Sequence, residues 1–132
     1  MNTKHIFLAM VAQLFTLTVM GQKTTCKSLH TGSFKVYTEE SGTTFIKRTK
    51  KQQIEKNDLL GYEVIFDITW VDECTYELRP KKLIKGDPEI MGDGSSFVRT
   101  KIKNITAKGY IAETTASFSP DTLDFTVEII RE

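Results

Sequence analysis

Four carboxylates in this sequence have the chemistry of general acids and bases, and adjacent strands of a sheet could bring two of them together. They are Glu55, Glu63, Asp67 and Glu77. The sequence contains no G-x-S-x-G, no H-E-x-x-H and no glycine-rich phosphate loop, and it has only two histidines. Acids that alternate along a solvated sheet face account for the same residues. We therefore expect neither catalysis nor a cofactor.

A second group of acids falls in a glycine-rich segment. Asp87, Glu89 and Asp93 lie between Gly86 and Gly94 and carry the oxygen ligands that calcium prefers. Their spacing does not match the EF-hand loop, in which ligands occupy fixed alternate positions. We expect no metal site here and interpret the segment as a mobile loop at the mouth of a barrel or sandwich, where loops often carry function.

The chain begins with the pattern of a secretory signal peptide. Lys4 precedes a largely apolar run, and small residues stand just before a cleavage point after Gly21. A membrane anchor would need about 20 apolar residues, and Gln13 interrupts this shorter run. We predict a signal peptide in residues 1–21 and a single β domain in residues 22–132, exported to the periplasm or secreted, with no transmembrane span in the mature chain.

The charge balance argues against a nucleic-acid partner. The sequence has 18 basic and 17 acidic residues, and removal of Lys4 with the signal peptide would leave a formal charge of zero. Proteins that bind nucleic acid non-specifically need an excess of Lys and Arg to neutralise phosphates. We interpret the lysine-rich stretches as solvated turns and strand edges.

The two cysteines predict one disulfide. In an exported chain an even cysteine count favours a disulfide, and Cys26 and Cys74 leave only one pairing. Closing a loop of about 49 residues is worth on the order of 4 kcal/mol in the chain-entropy model. The competing interpretation, a redox or metal-binding pair, lacks a C-x-x-C motif and has only His30 as a histidine in the predicted mature chain.

The segment from Gly61 to Leu78 predicts a β-hairpin with one buried face. Every second residue of its first strand is apolar or aromatic, which places these residues on one side of the strand. We expect the interior to be lined by Tyr62, Phe66, Trp70 and Tyr76. Arg48 or Gln53 would offer a ligand a polar contact. The alternative is that these aromatic residues simply form the core.

Strand patterns continue along the whole domain and predict an all-β fold of about eight strands. They are found at Gly32–Thr38, Thr43–Arg48, Gln52–Lys56, the two halves of the hairpin, Phe97–Thr106, Tyr110–Phe118 and Leu123–Ile129. Pro80 argues against a central strand continuing through it, so we interpret residues 80–95 as a long irregular segment, and Ser119-Pro120-Asp121 suggests a turn. The short connections favour an antiparallel up-and-down, lipocalin-like barrel, with a β-sandwich as the alternative.

Several short motifs resemble a group of small exported β-barrel proteins of Gram-negative bacteria without established activity, some of which carry the transferred name "DNA topoisomerase IV subunit". The motifs are TGSF at Thr31–Phe34, FIKR at Phe45–Arg48, QIE at Gln53–Glu55 and W-x-x-x-C-x-Y-x-L at Trp70–Leu78. A topoisomerase needs a nucleophilic tyrosine in a large multidomain enzyme, which a chain of 15.0 kDa does not provide. The architecture is also similar to lipocalins, although their G-x-W motif is absent because Phe34 follows Gly32-Ser33.

Two functions are consistent with the sequence. The first is an exported barrel that binds a small apolar or amphipathic molecule in its interior. The second is a structural or interaction module that binds another protein of the cell envelope, without an internal ligand, through a strand edge or the loop Lys81–Gly94. A cavity inside the barrel would favour the first.

Overall fold

The computed structural model describes residues 23–131, so the predicted signal peptide lies outside the described residues. Eight strands and two short 3-10 helices make up this part of the chain: η1 (Lys27–Leu29), β1 (Gly32–Thr38), β2 (Gly42–Arg48), β3 (Gln52–Asn57), β4 (Tyr62–Asp72), β5 (Thr75–Lys85), η2 (Pro88–Met91), β6 (Val98–Lys103), β7 (Gly109–Ala116) and β8 (Ser119–Ile130). Within these residues, no helix has the length and apolar character needed to cross a membrane.

The strands form a closed up-and-down barrel in which each strand is antiparallel to its neighbours in sequence. The barrel closes where β1 pairs with β8, from Ser33 opposite Ile130 to Val36 opposite Val127. This closure confirms the predicted barrel and rules out the sandwich, which would leave two separate sheets.

Alternation along the strands places one set of side chains inside. Phe34 on β1 faces Ile129, and Ile68 on β4 faces Leu78 across the β4–β5 pair. Cross-strand partners share a face of the sheet, so these residues pack together inside the barrel. The buried core consists of Cys26, Leu29, Phe34, Ile46, Ile68, Tyr76, Leu78, Ile102, Tyr110, Ala112 and Val127.

The N-terminal segment covers one end of the barrel, which we call the closed end. Leu29 of η1 is almost fully buried there, and a disulfide joins Cys26 to Cys74 in the β4–β5 turn. His30 stacks on Trp70 with ring centroids 3.5 Å apart. Its Nε2 also lies 2.8 Å from the carbonyl oxygen of Glu73. Three separate contacts therefore hold η1 against the barrel, and the predicted disulfide is confirmed.

The prediction that the chain is irregular from Pro80 onward is wrong, because β5 continues through Pro80 to Lys85. Pro80 stands opposite Phe66 at a shift in the β4–β5 register. Within residues 23–131, no strand pairs with β5 on its β6 side beyond Leu78, since the pairing with β6 covers only Thr75–Leu78. Proline is tolerated at such an unpaired edge because its missing N–H removes no bond to a neighbouring strand.

The turn predicted at Ser119-Pro120-Asp121 is also wrong. The chain turns at Ser117 and Phe118, and β8 begins at Ser119. The β7–β8 register shifts between Thr115 and Ala116, so the first residues of β8 pair irregularly. Pro120 is again accommodated where regular pairing is interrupted.

Loss of the disulfide should lower stability substantially. We expect the double variant Cys26→Ser, Cys74→Ser to lose about 4 kcal/mol of unfolding free energy, because the crosslink spans 48 positions and restricts the unfolded chain. Urea unfolding of both proteins measures this difference. Reduction of the parent protein should reproduce the loss, and equal unfolding midpoints would contradict the prediction.

Candidate functional site

The interior of the barrel contains a cavity of about 320 Å³. All eight strands contribute to its wall, and Ser41 and Leu60 from two turns lie at the end opposite η1, which we call the mouth. The strand residues that line it are Val36, Thr38, Gly42, Thr44, Ile46, Gln53, Glu55, Tyr62, Phe66, Tyr76, Leu78, Val98, Thr100, Ala112, Thr114, Phe125 and Val127. The wall is mainly apolar, with a few polar groups.

Arg48 forms the floor between this cavity and the closed end. It is only 2% exposed, and its guanidinium donates four hydrogen bonds. Nε donates to Oε1 of Gln53 at 2.9 Å, and Nη1 donates to the carbonyl oxygen of Leu29 at 2.6 Å. Nη2 donates to the hydroxyls of Tyr76 at 3.2 Å and Tyr110 at 3.0 Å. The floor thus joins three strands and η1 through one buried charge.

Aromatic rings surround the same guanidinium. Its central carbon lies 4.5 Å from the ring centroid of Phe34 and 4.8 Å from that of Tyr76, within the range of cation–π attraction. Burial by itself would lower the pKa of Arg48, but the interactions with Tyr76 and Tyr110 raise it above its ordinary value. Burial also raises the pKa of the Tyr76 hydroxyl. The floor therefore holds the positive charge of Arg48 among aromatic rings and hydroxyl groups.

Glu55 lies immediately above the floor, and among the described residues that line the cavity it is the only charged one. Its Oε2 accepts a hydrogen bond from Nε2 of Gln53 at 2.9 Å, and the other end of the same amide accepts from Arg48. Gln53 therefore separates the two charges. Burial raises the pKa of Glu55 above its usual range, although the Gln53 hydrogen bond and the charge of Arg48 oppose the shift.

Polar side chains near the mouth fix the turns that frame it. The buried Asn57 donates to the carbonyl oxygen of Ser41 at 2.8 Å and to the hydroxyl of Thr44 at 3.0 Å. It also accepts from the backbone N–H of Leu60 at 2.8 Å. One side chain thus ties the β1–β2 turn to the β3–β4 turn, which keeps the mouth open in a defined shape.

The six residues that the sequence suggested for ligand binding divide into two groups. Gln53, Tyr62, Phe66 and Tyr76 line the cavity. Arg48 and Trp70 do not: Arg48 lies in the floor and donates four hydrogen bonds there, and Trp70 packs against the core and His30 at the closed end. Arg48 and Trp70 instead pack with η1 and its neighbours at the closed end of the barrel.

The four carboxylates considered for acid–base chemistry do not come together. Glu55 faces the cavity, whereas Glu63 and Asp67 follow the opposite alternation on β4 and lie on the outer face. Asp67 is 3.6 Å from Lys81 there. Glu77 is also outside, paired with Arg79 and Arg99.

Two acids of the glycine-rich loop, Asp87 and Asp93, accept hydrogen bonds from within the loop. Asp87 accepts from the backbone N–H of Glu89 at the start of η2, and Asp93 accepts from the backbone N–H and hydroxyl of Ser95. In residues 23–131, no group of three or more His, Cys, Asp or Glu side chains is placed to hold a metal ion. These carboxylates shape the loop beside the mouth.

Comparisons with models of protein families, with characterised proteins and with solved structures found no match for this chain. The function has therefore to be inferred from the geometry of the cavity itself.

The role of Glu55 in the wall was missed by the sequence analysis. Ile54 is the only aliphatic residue of β3, and the usual amphipathic pattern would turn it inward. In the structure Ile54 faces outward, and Gln53, Glu55 and Asn57 face the interior. The available signal was the cross-strand alternation with β4, which places Gln53 beside Phe66 and Glu55 beside Val64.

Replacement of Arg48 should destabilise the protein. Arg48→Met leaves the Leu29 carbonyl and two tyrosine hydroxyls without their donor, and we expect a loss of about 3 kcal/mol. The exposed Arg79, which pairs with Glu77 on the outer face, provides a matched control. Arg79→Met should cost less than about 1 kcal/mol. Urea unfolding of both variants tests this, and equal losses would contradict it.

Stability of the empty protein should depend on the ionisation of Glu55. Because its folded-state pKa is raised, its favourable contribution is present below the ordinary value of 4.5 and is lost as the pH rises through the raised pKa. Glu55→Gln should therefore become increasingly stable relative to the parent as the pH rises above 4.5. Thermal unfolding across this range measures the difference. Glu39→Gln, in the exposed β1–β2 turn, serves as the control, and a constant difference for Glu55→Gln would refute the prediction.

Proposed function

We propose that this protein is a small exported barrel that binds an apolar or amphipathic molecule in its interior. The observation that carries the proposal is the cavity of about 320 Å³, to which every strand contributes. Ligand sites in proteins are typically concave, mostly apolar and about 300–1,000 Å³ in volume. The cavity falls at the lower end of this range, which favours a small molecule over a long lipid.

The distribution of polar groups supports an amphipathic ligand. Val36, Ile46 and Phe125 provide apolar wall, whereas Glu55 and Gln53 stand together at the inner end. A cavity of this volume has room for about ten water molecules. A ligand with an apolar body would displace water from the apolar wall and gain the hydrophobic contribution of that contact.

Export to the periplasm or the exterior is part of the same proposal. The pattern of residues 1–21 supports a signal peptide. The Cys26–Cys74 disulfide fits an oxidising compartment, where such bonds persist. The resemblance to small exported β-barrel proteins of Gram-negative bacteria points to the same location.

An interaction module of the cell envelope is the second candidate. The observation in its favour is the part of β5 from Arg79 to Lys85, which lacks a β6 partner and could accept a strand from another protein. Pro80 and three lysines on this segment oppose such strand addition. We therefore place the interior ligand first.

A substitution that fills the cavity should abolish binding. We use octanol as the probe and calorimetry as the measurement. Thr114→Phe places a ring in the cavity, because Thr114 lines its wall. Octanol binding should be lost in this variant and present in the parent protein.

The neighbouring residue supplies the matched control. Thr115 is exposed and follows the opposite alternation on β7, so that Thr115→Phe adds the same ring to the outer face. This variant should bind octanol as the parent does. No binding of octanol by the parent, or equal binding by the two variants, would contradict an interior site. Mass spectrometry of material that co-purifies with the protein would identify the natural ligand.

A further inference from the structure

We propose that the ligand of this cavity is a small amphipathic cation, whose protonated amine binds Glu55 and whose apolar part extends toward the mouth. This inference rests on the proposed function, because it names the chemical class of molecule that the cavity takes. It is carried by the position of one carboxylate, by the way its neighbours are bonded and by the charge of the mouth.

One oxygen of Glu55 is free to receive a ligand. Gln53 donates to Oε2, and no residue within 23–131 donates to Oε1. Glu55 also forms no salt bridge with a basic residue in this part of the chain. A carboxylate can accept several hydrogen bonds, and the partly buried Glu55 uses only one oxygen for Gln53. A primary ammonium has three N–H donors and a positive charge. It would donate a hydrogen bond to Oε1 of Glu55 and pair with the carboxylate charge.

The positive charge of Arg48 cannot take an anionic ligand in the same way. Its guanidinium donates hydrogen bonds to Gln53, Leu29, Tyr76 and Tyr110, and it forms the floor itself, at 2% exposure. An anion entering from the mouth would meet Glu55 before it reached Arg48. Because Glu55 lies between the mouth and Arg48, the cavity favours a cationic ligand over an anionic one.

The chain connections around the mouth are acidic, which also favours a cation. The connections at this end are residues 39–41, 58–61, 86–97 and 117–118, and they contain six acids and no Lys or Arg. The acids are Glu39, Glu40, Asp58, Asp87, Glu89 and Asp93. Nearby lysines lie on the strands, where Lys56 is 3.9 Å from Asp58 and Lys85 stands opposite Glu63.

The connections at the closed end have the opposite balance. Residues 49–51, 73–74 and 104–108 contain three lysines and one glutamate. Such a difference between the two ends produces a field along the barrel that draws cations toward the mouth and repels anions from it. The field favours the same charge that Glu55 can bind.

Three probes with the same alkyl chain separate the charge preference from simple burial of apolar surface. Octylamine, octanol and octanoate are titrated into the protein at neutral pH, each below its micelle concentration, with calorimetric detection. We expect octylamine to bind most tightly, octanol less tightly and octanoate least. Octanoate binding as tightly as octylamine would overturn the inference.

The variant Glu55→Gln tests the assigned carboxylate. It keeps a side chain of the same shape and an oxygen for the Gln53 hydrogen bond. Affinity for octylamine should fall roughly 10- to 100-fold, the usual effect of losing a hydrogen bond to a charged group, while affinity for octanol stays within about threefold of the parent. Retained octanol binding shows that the cavity is intact. Unchanged octylamine affinity would refute the role of Glu55.

Two further outcomes distinguish this inference from the proposed function. If octanol binds but octylamine has no advantage, the interior site stands and the cationic preference is wrong. If none of the three probes binds the parent protein, both are wrong. Octylamine binding that persists in Thr114→Phe would place the amine on the acidic connections around the mouth, outside the cavity, and would also overturn the inference.

Discussion

Arg48 brings a full positive charge into the barrel, and the protein has to supply the hydrogen bonds that water would otherwise provide. The acceptors come from β3, β5, β7 and η1. The Leu29 carbonyl is one of them, so the 3-10 helix has to lie across the barrel end for the guanidinium to be satisfied. The structure of the closed end, including η1 and the strands around it, therefore depends on the Arg48 guanidinium.

The polar floor also explains why the barrel is not solid. Below the floor, Leu29 of η1 packs closely with Phe34 and Trp70. Above it, the inward residues of β6 and β7 include the small Thr100, Ala112 and Thr114, which leave room. The interior is therefore divided into a packed structural half and a half that can take a ligand, with Gln53 at the boundary.

The barrel and its disulfide could be predicted from the sequence because alternation is clear on β4 and β8, and because two cysteines allow one pairing. The site was only partly predictable. Tyr62 and Phe66 follow the regular pattern and line the cavity, whereas β3 turns Ile54 outward and Glu55 inward, against its own hydrophobic pattern. The cause lies in the register with β4, which a single strand does not reveal. Pro80 was misjudged for a similar reason, since the loss of the β6 partner beyond Leu78 is a property of the whole sheet.

The β1–β8 seam has a consequence for how the chain folds. Every other strand pair joins neighbours in sequence, so those contacts can form as local hairpins. The seam instead joins Ser33 to Ile130, nearly the full length of the domain, and carries the largest loss of loop-closure entropy. The Cys26–Cys74 bond shortens this path by holding the start of β1 beside the β4–β5 turn. Oxidation before closure should therefore accelerate the final step of folding as well as stabilise its product.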